Sequence, residues 1–215
     1  MTLSLYFHPL ASYCWKVLIA LYENETPFEP LLVDLGNAAE RAAFFQVAPL
    51  GKFPVLRDSA NGRVVPESTI IIEYLATHYP GRTPLLPREP DRALEVRQWD
   101  RFFDQQVHEP MQKHVADKLR PEANRDPFGV EQAHAQLEKA YAILERTLAN
   151  PSWAAGDDFS MADCAAAPAL HYGNLVHPLT DAQPRLRAYL ARLQARPSFA
   201  RVLREAQPYF DMFPG

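Results

Sequence analysis

Residues 2–23, TLSLYFHPLASYCWKVLIALYE, change period halfway along. Leu3, Leu5 and Phe7 alternate with smaller or polar neighbours, the two-residue period of a strand. His8-Pro9 stops that run. From Ala11 to about Glu23 the apolar positions Val17, Leu18, Ala20, Leu21 and Tyr22 recur at helical spacing, with Ser12 placed to cap the first N–H groups. FEPLLVDL (28–35) reads as the next strand, so the chain opens β-α-β, which demands a right-handed crossover and parallel pairing. NAAERAAFFQVA (37–48) then reads as a second helix and FPVLRD (53–58) as a short strand. Asn61-Gly62 before RVV is a hairpin signal. PESTIIIEYLATHYP (66–80) closes the region as a third helix, with Pro66 ahead of it and Pro80-Gly81 beyond. The order β-α-β-α-β-β-α predicts a mixed four-stranded sheet with three helices.

The rest of the chain is helical in period. The reading is therefore an α/β domain at 1–80, a proline- and arginine-rich linker GRTPLLPREP at 81–90, and an all-helical domain at 91–215. A long helix is expected from about Asp91 to Leu119, kinked or broken at Pro110. Apolar positions from Val130 to Leu148 give an amphipathic helix over 129–149. Ser160-Met-Ala-Asp163 is a capping box, with Asp163 a folding determinant rather than a catalyst. Two short helices follow, near 185–196 and 198–206.

Composition narrows the function classes. With 47% apolar and 22% charged residues the chain is globular. Lys and Arg number 22 against 26 Asp and Glu, a net charge of -4 without any basic block, which argues against nucleic acid as a partner. No apolar run reaches the length of a membrane span, and the amino terminus lacks the charged start of a secretory signal, so a cytoplasmic protein is expected. Cys14 and Cys164 are far apart and without metal-ligand spacing, so neither a disulfide framework nor a metal site is expected.

Three stretches carry candidate chemistry. Ser12, Cys14 and Lys16 fall in the first turn and a half of the first helix, where unpaired N–H groups and the helix dipole stabilise an anion. The bland alternative is a capping serine and a buried cysteine. Lys52-Phe53-Pro54-Val55 puts a proline ahead of a strand, and a cis bond there would leave backbone groups facing a peptide-like ligand; a simple turn proline is the alternative. Glu67 and Ser68 open the third helix, where they can hold an ammonium and a carboxylate or simply cap.

The strings YFHPLASYCWKVLIALYE, APLGKFPVL and PESTIIIEYL, with FSMADCAAAPAL in the helical half, resemble cytosolic glutathione transferases, of the bacterial serine- or cysteine-type or zeta-like kind. The resemblance covers essentially the whole chain. It implies a thioredoxin-like first domain that binds glutathione, a helical bundle that supplies the acceptor pocket, and a homodimer serving detoxification. Glutathione would be the co-substrate, with no further cofactor. By motif, Pro54 resembles the cis-proline and Val55 the residue whose backbone pairs with the cysteinyl part of glutathione. Glu67 and Ser68 resemble the pair at the γ-glutamyl end, while Lys52 and Phe53 complete that segment, Lys52 near the glycyl end.

The slot that holds the activating serine or cysteine in such proteins is Ala11 here. Ser12 is the first replacement donor for the thiolate, Tyr6 the second and Cys14 the third. For the acceptor pocket, Phe102, Phe103, Gln106 and Met111 are candidates beside Tyr209, Phe210, Met212 and Phe213. The expected activity is attack of the glutathione thiolate on a small electrophile. A maleylacetoacetate-type isomerase, which the CWK turn also resembles, and a glutathione-binding protein with little turnover are the alternatives.

Overall fold

A computed structural model describes residues 2–148 and 152–214. The first half holds strand β1 (Leu3–Phe7), helix α1 (Ser12–Glu23), β2 (Glu29–Leu32), α2 (Ala38–Val47), β3 (Val55–Asp58), β4 (Arg63–Pro66) and α3 (Ser68–His78). The sheet order is β2-β1-β3-β4, with β1 parallel to β2 and both other pairings antiparallel, the mixed four-stranded sheet expected from the element order. This is the thioredoxin-like arrangement. Leu3 and Leu5 turn inward from β1 against α1, which is buried along most of its length because helices of the second half cover its other side. The second strand is shorter than its apolar run, ending at Leu32.

The helical half comprises α4 (Pro90–Phe102), a π-helical segment (Phe103–His108), α5 (Glu109–Lys118), α6 (Pro127–Thr147), α7 (Met161–Val176), α8 (Pro184–Ala195) and α9 (Pro197–Ala206). Short 3-10 turns lie at Glu122–Asn124 and Gln207–Met212. The single helix expected over 91–119 is thus three segments. Pro110 lies two residues past the π segment in continuous helical backbone, where it cannot donate to the carbonyls upstream, and the departure from α geometry falls in that preceding turn. The 129–149 helix is α6; Ala149, like the terminal residues Met1 and Gly215 of the expected domain bounds, lies outside the described residues.

Helix α7 is the centre of the molecule. Its run Ala162-Asp163-Cys164-Ala165-Ala166-Ala167 is wholly buried, and the small side chains let α1, α4 and the π segment approach closely. The buried Asp163 carboxylate accepts hydrogen bonds from the Ser160 N–H (2.8 Å) and hydroxyl (3.1 Å), the Ala154 N–H (2.9 Å) and the Tyr189 hydroxyl (2.6 Å). Two polar joints tie the halves together. Glu23 at the end of α1 accepts from Arg196 (2.9 and 2.5 Å) and Ser198 (2.9 Å), and buried Lys16 pairs with Asp100 (2.6 Å) and Asp104 (2.9 Å). Among the described residues no helix is long and apolar enough to cross a membrane.

Candidate functional site

Strand register brings the three candidate stretches to one end of the sheet. Tyr6 of β1 lies beside Val55 of β3, and Val55 beside Pro66 of β4. The turn after β1, the residues ahead of β3 and the residues after β4 are therefore neighbours, although far apart in sequence. The Phe53-Pro54 bond is cis, as the motif suggested. Glu67, the residue before α3, has a φ of 69°, a left-handed conformation uncommon for a residue with a side chain. That departure from ordinary backbone falls at the mouth of a cleft, where strain is commonly retained for binding.

The cleft has a volume of about 370 Å³ and is lined by all six residues expected to bind a tripeptide: Lys52, Phe53, Pro54, Val55, Glu67 and Ser68. The helical half adds Arg101, Asp104 and Glu109, and Tyr13 comes from α1. Cations at Lys52 and Arg101 and anions at Glu67, Asp104 and Glu109 suit a zwitterionic guest with carboxylates at both ends. Burial raises the Asp104 carboxyl, and the Lys16 ammonium at 2.9 Å opposes that rise.

A second cleft of about 600 Å³ adjoins the first. Its wall joins His8, Ala11 and Ser12 from the α1 turn to Met111, Val115 and Leu119 of the α5 region and to Met212 and Phe213 near the carboxyl end. Phe53 lines both clefts. Of the residues expected to form an acceptor pocket, Met111, Met212 and Phe213 are there. Phe103 is in the core, Phe102 and Phe210 pack against it, Gln106 is exposed beside Gln136, and Tyr209 lines a separate groove.

The three candidate thiolate donors part company. Ser12 is the first residue of α1, not its cap: Ala11 holds the capping position without a side-chain bond, and the Ser12 hydroxyl instead meets Nε2 of His108. Tyr6 does not reach either cleft. It packs against Phe44 (ring centres 5.9 Å apart) in a small cluster with Val33, Ala48 and Val55 on the sheet face under α2. Cys14 is fully buried, and burial pushes its thiol up to about 12, so it is no thiolate; burial overrides the helix dipole. Sequence reading also missed Tyr13, Arg101, Asp104 and Glu109 as cleft residues and His108 as the buried partner of Ser12. Apart from Tyr13, these arrive from the helical half, and no local pattern marks which polar residues of a long helix face inward.

Residues 5–83 match the glutathione S-transferase N-terminal domain profile and residues 127–192 the C-terminal domain profile of the same family. Glutathione S-transferase 3 of Zea mays is 33% identical over 210 residues, covering 94% of this chain and 93% of the relative. The chain belongs to the glutathione S-transferase family. Glutathione S-transferase GstB of Escherichia coli strain K12 is 28% identical over 190 residues, 87% of this chain and 91% of that protein. Among solved structures, a glutathione S-transferase from Methylobacillus flagellatus with GSH bound is 27% identical and superposes with a TM-score of 0.83, covering 93% of this chain and 98% of the other. As a glutathione transferase the protein takes glutathione as its co-substrate.

Proposed function

We infer that this glutathione transferase holds the tripeptide in the 370 Å³ cleft and presents its thiolate to a small electrophile in the adjoining apolar cleft. The observation that carries the reading is the convergence of Lys52, Phe53, Pro54, Val55, Glu67 and Ser68 on one cavity whose wall, Phe53, continues into the second. Glu67 and Ser68 receive the γ-glutamyl end, the Val55 backbone the cysteinyl unit, and Lys52 the glycyl carboxylate. Ser12, at the first turn of α1 and on the wall of the acceptor cleft, donates its hydroxyl to the sulfur.

A free thiol near pKa 8.5 is only a few per cent thiolate at neutral pH. One charge-assisted hydrogen bond together with the helix dipole, roughly 1.5 to 3 kcal/mol, lowers that pKa by about one to two units. The electrophile takes the sulfur lone pair, and its leaving group or its own carbon framework takes the charge.

The test is ultraviolet titration of the bound thiol together with conjugation assays on a panel of electrophiles. Ser12→Ala is expected to raise the bound thiol pKa by about one unit, about 1.4 kcal/mol. An unmoved pKa removes Ser12 from the role, and tight glutathione binding without turnover on any electrophile favours a binding protein.

Val64 on β4, Ile70 on α3 and Leu94 on α4 are exposed apolar side chains, and α3 is joined to α4 by Glu73–Arg97 (2.7 Å). A second copy covering this face is the homodimer we expect, and light scattering checks it. Both cysteines are free and buried, which supports a reducing, cytoplasmic setting.

A further inference from the structure

The Ser12 hydroxyl has a partner that arrives from the other half of the molecule. His108, the last residue of the π segment, brings Nε2 against Ser12 Oγ, and both side chains are buried. The imidazole centre lies 4.1 Å from the Tyr13 ring centre, and its other nitrogen, Nδ1, is buried with no hydrogen-bond partner. Ser12 is therefore the one polar group that this ring engages among the described residues.

We propose that His108 is the positioning residue for the thiolate donor: its Nε2–H donates to Ser12 Oγ, which frees the serine proton to point at the glutathione sulfur. The proposal rests on the reading that glutathione occupies the cleft with its sulfur near Ser12.

A neutral imidazole carries one ring proton, and the two placements have opposite consequences. With the proton on Nδ1, that N–H is stranded in a dry environment and Ser12 must spend its single proton on Nε2. An arriving thiolate would then meet only oxygen lone pairs. With the proton on Nε2, the serine accepts from the ring and donates to the sulfur, and the two bonds polarise one another in the same direction. A bound thiolate selects the second arrangement by its own charge.

Burial, and then the charge of Lys16, bring the His108 ring down to about 4, so near neutral pH the ring acts through bond direction rather than through a positive charge. Nor is it built to abstract the serine proton, since a base in that role is normally oriented by a third group, and Nδ1 has none. The π segment aims the ring. Continuing α geometry through these six residues would rotate His108 by about 100° around the helix and away from α1.

Imidazole ¹⁵N shifts of the wild-type protein bound to glutathione at pH 7 test this directly. The Nε2–H tautomer is expected, and the Nδ1–H tautomer overturns the proposal. Two variants add a functional readout. His108→Met, close in volume but without a donor, is expected to raise the bound thiol pKa by about half a unit, less than Ser12→Ala because the serine hydroxyl remains, and to add nothing in the double variant. His108→Gln, which retains an N–H within reach, restores most of the wild-type value.

S-methylglutathione has no thiol to ionise, so its dissociation constant stays unchanged in His108→Met and His108→Gln. A wild-type thiol pKa in His108→Met, or an equal loss of S-methylglutathione affinity, assigns His108 a merely structural role and overturns the proposal. If wild-type protein binds neither tripeptide, the reading of the cleft fails and takes this one with it. Normal binding with the Nδ1–H tautomer sinks this one alone.

Discussion

Ser68 opens α3 with only 6% of its surface exposed, so a ligand carboxylate it holds is largely shielded from water. Ser68→Ala is expected to weaken glutathione binding at least tenfold, one hydrogen bond to a charged group at roughly 1.5 to 3 kcal/mol. Titration calorimetry measures it, and an unchanged constant removes Ser68 from the site. Cys14 makes the opposite kind of prediction. Its buried thiol, pushed up to about 12, is expected to resist iodoacetamide at pH 8 in the folded protein and to react only after denaturation, as mass spectrometry would record. The six residues expected to bind the tripeptide were legible because they lie in two short motifs, 52–55 and 67–68. Tyr6 was a candidate by its resemblance to a tyrosine near the end of the first strand, and Cys14 by its place in the first turn of α1. The packing of α2 against Tyr6 and the full burial of Cys14, which set both aside, are tertiary facts.

Helix α7 depends on one carboxylate more than on its propensity. Asp163 gathers four hydrogen bonds, so Asp163→Ala leaves buried donors without an acceptor and is expected to cost about 3 to 5 kcal/mol. Tyr189→Phe removes one of the four and is expected to cost about 1.5 to 3 kcal/mol. Urea denaturation of both variants checks the ratio, and similar losses would mean that the Tyr189 bond carries most of the effect. The capping box that announces this helix was readable from Ser160 and Asp163, as were the order of strands and helices and the hairpin at Asn61-Gly62. The interruption at Phe103–His108 was not. Proline is visible in a sequence, but the widening of a helix to bring a side chain onto a distant partner has no compositional mark. The most informative residue of that segment, His108, consequently looked like one histidine among several.

Across the whole molecule, the two halves meet at buried charge. Glu23 is held by Arg196, Ser198 and Thr83, and Arg196 also lies over the rings of Phe159 (3.9 Å) and Trp153 (5.0 Å). Burial alone would raise the Glu23 carboxyl, but the hydrogen bonds from Arg196 and Ser198 prevail and leave it below its ordinary value of 4.5. A carboxyl lowered by folding lends stability that is fully present above its unfolded value and lost as pH falls through the folded one. Arg196→Gln is therefore expected to destabilise the protein by about 3 kcal/mol at pH 7, and the gap to wild type should narrow below about pH 4.5. Thermal unfolding followed from pH 7 down to pH 3 tests it; a gap that stays constant with pH would show that Arg196 acts by stacking alone.

Phe53 is the wall common to both clefts. On the proposed placement a finished conjugate would fill the two cavities at once yet surrender its rigid-body freedom only once, and it would be retained more firmly than either parent molecule. The partition that sets the reactants side by side therefore also slows departure of what they become. At saturating concentrations of both reactants, product release is therefore expected to pace turnover, and a burst of conjugate in the first turnover checks it; its absence places the slow step before the conjugate forms.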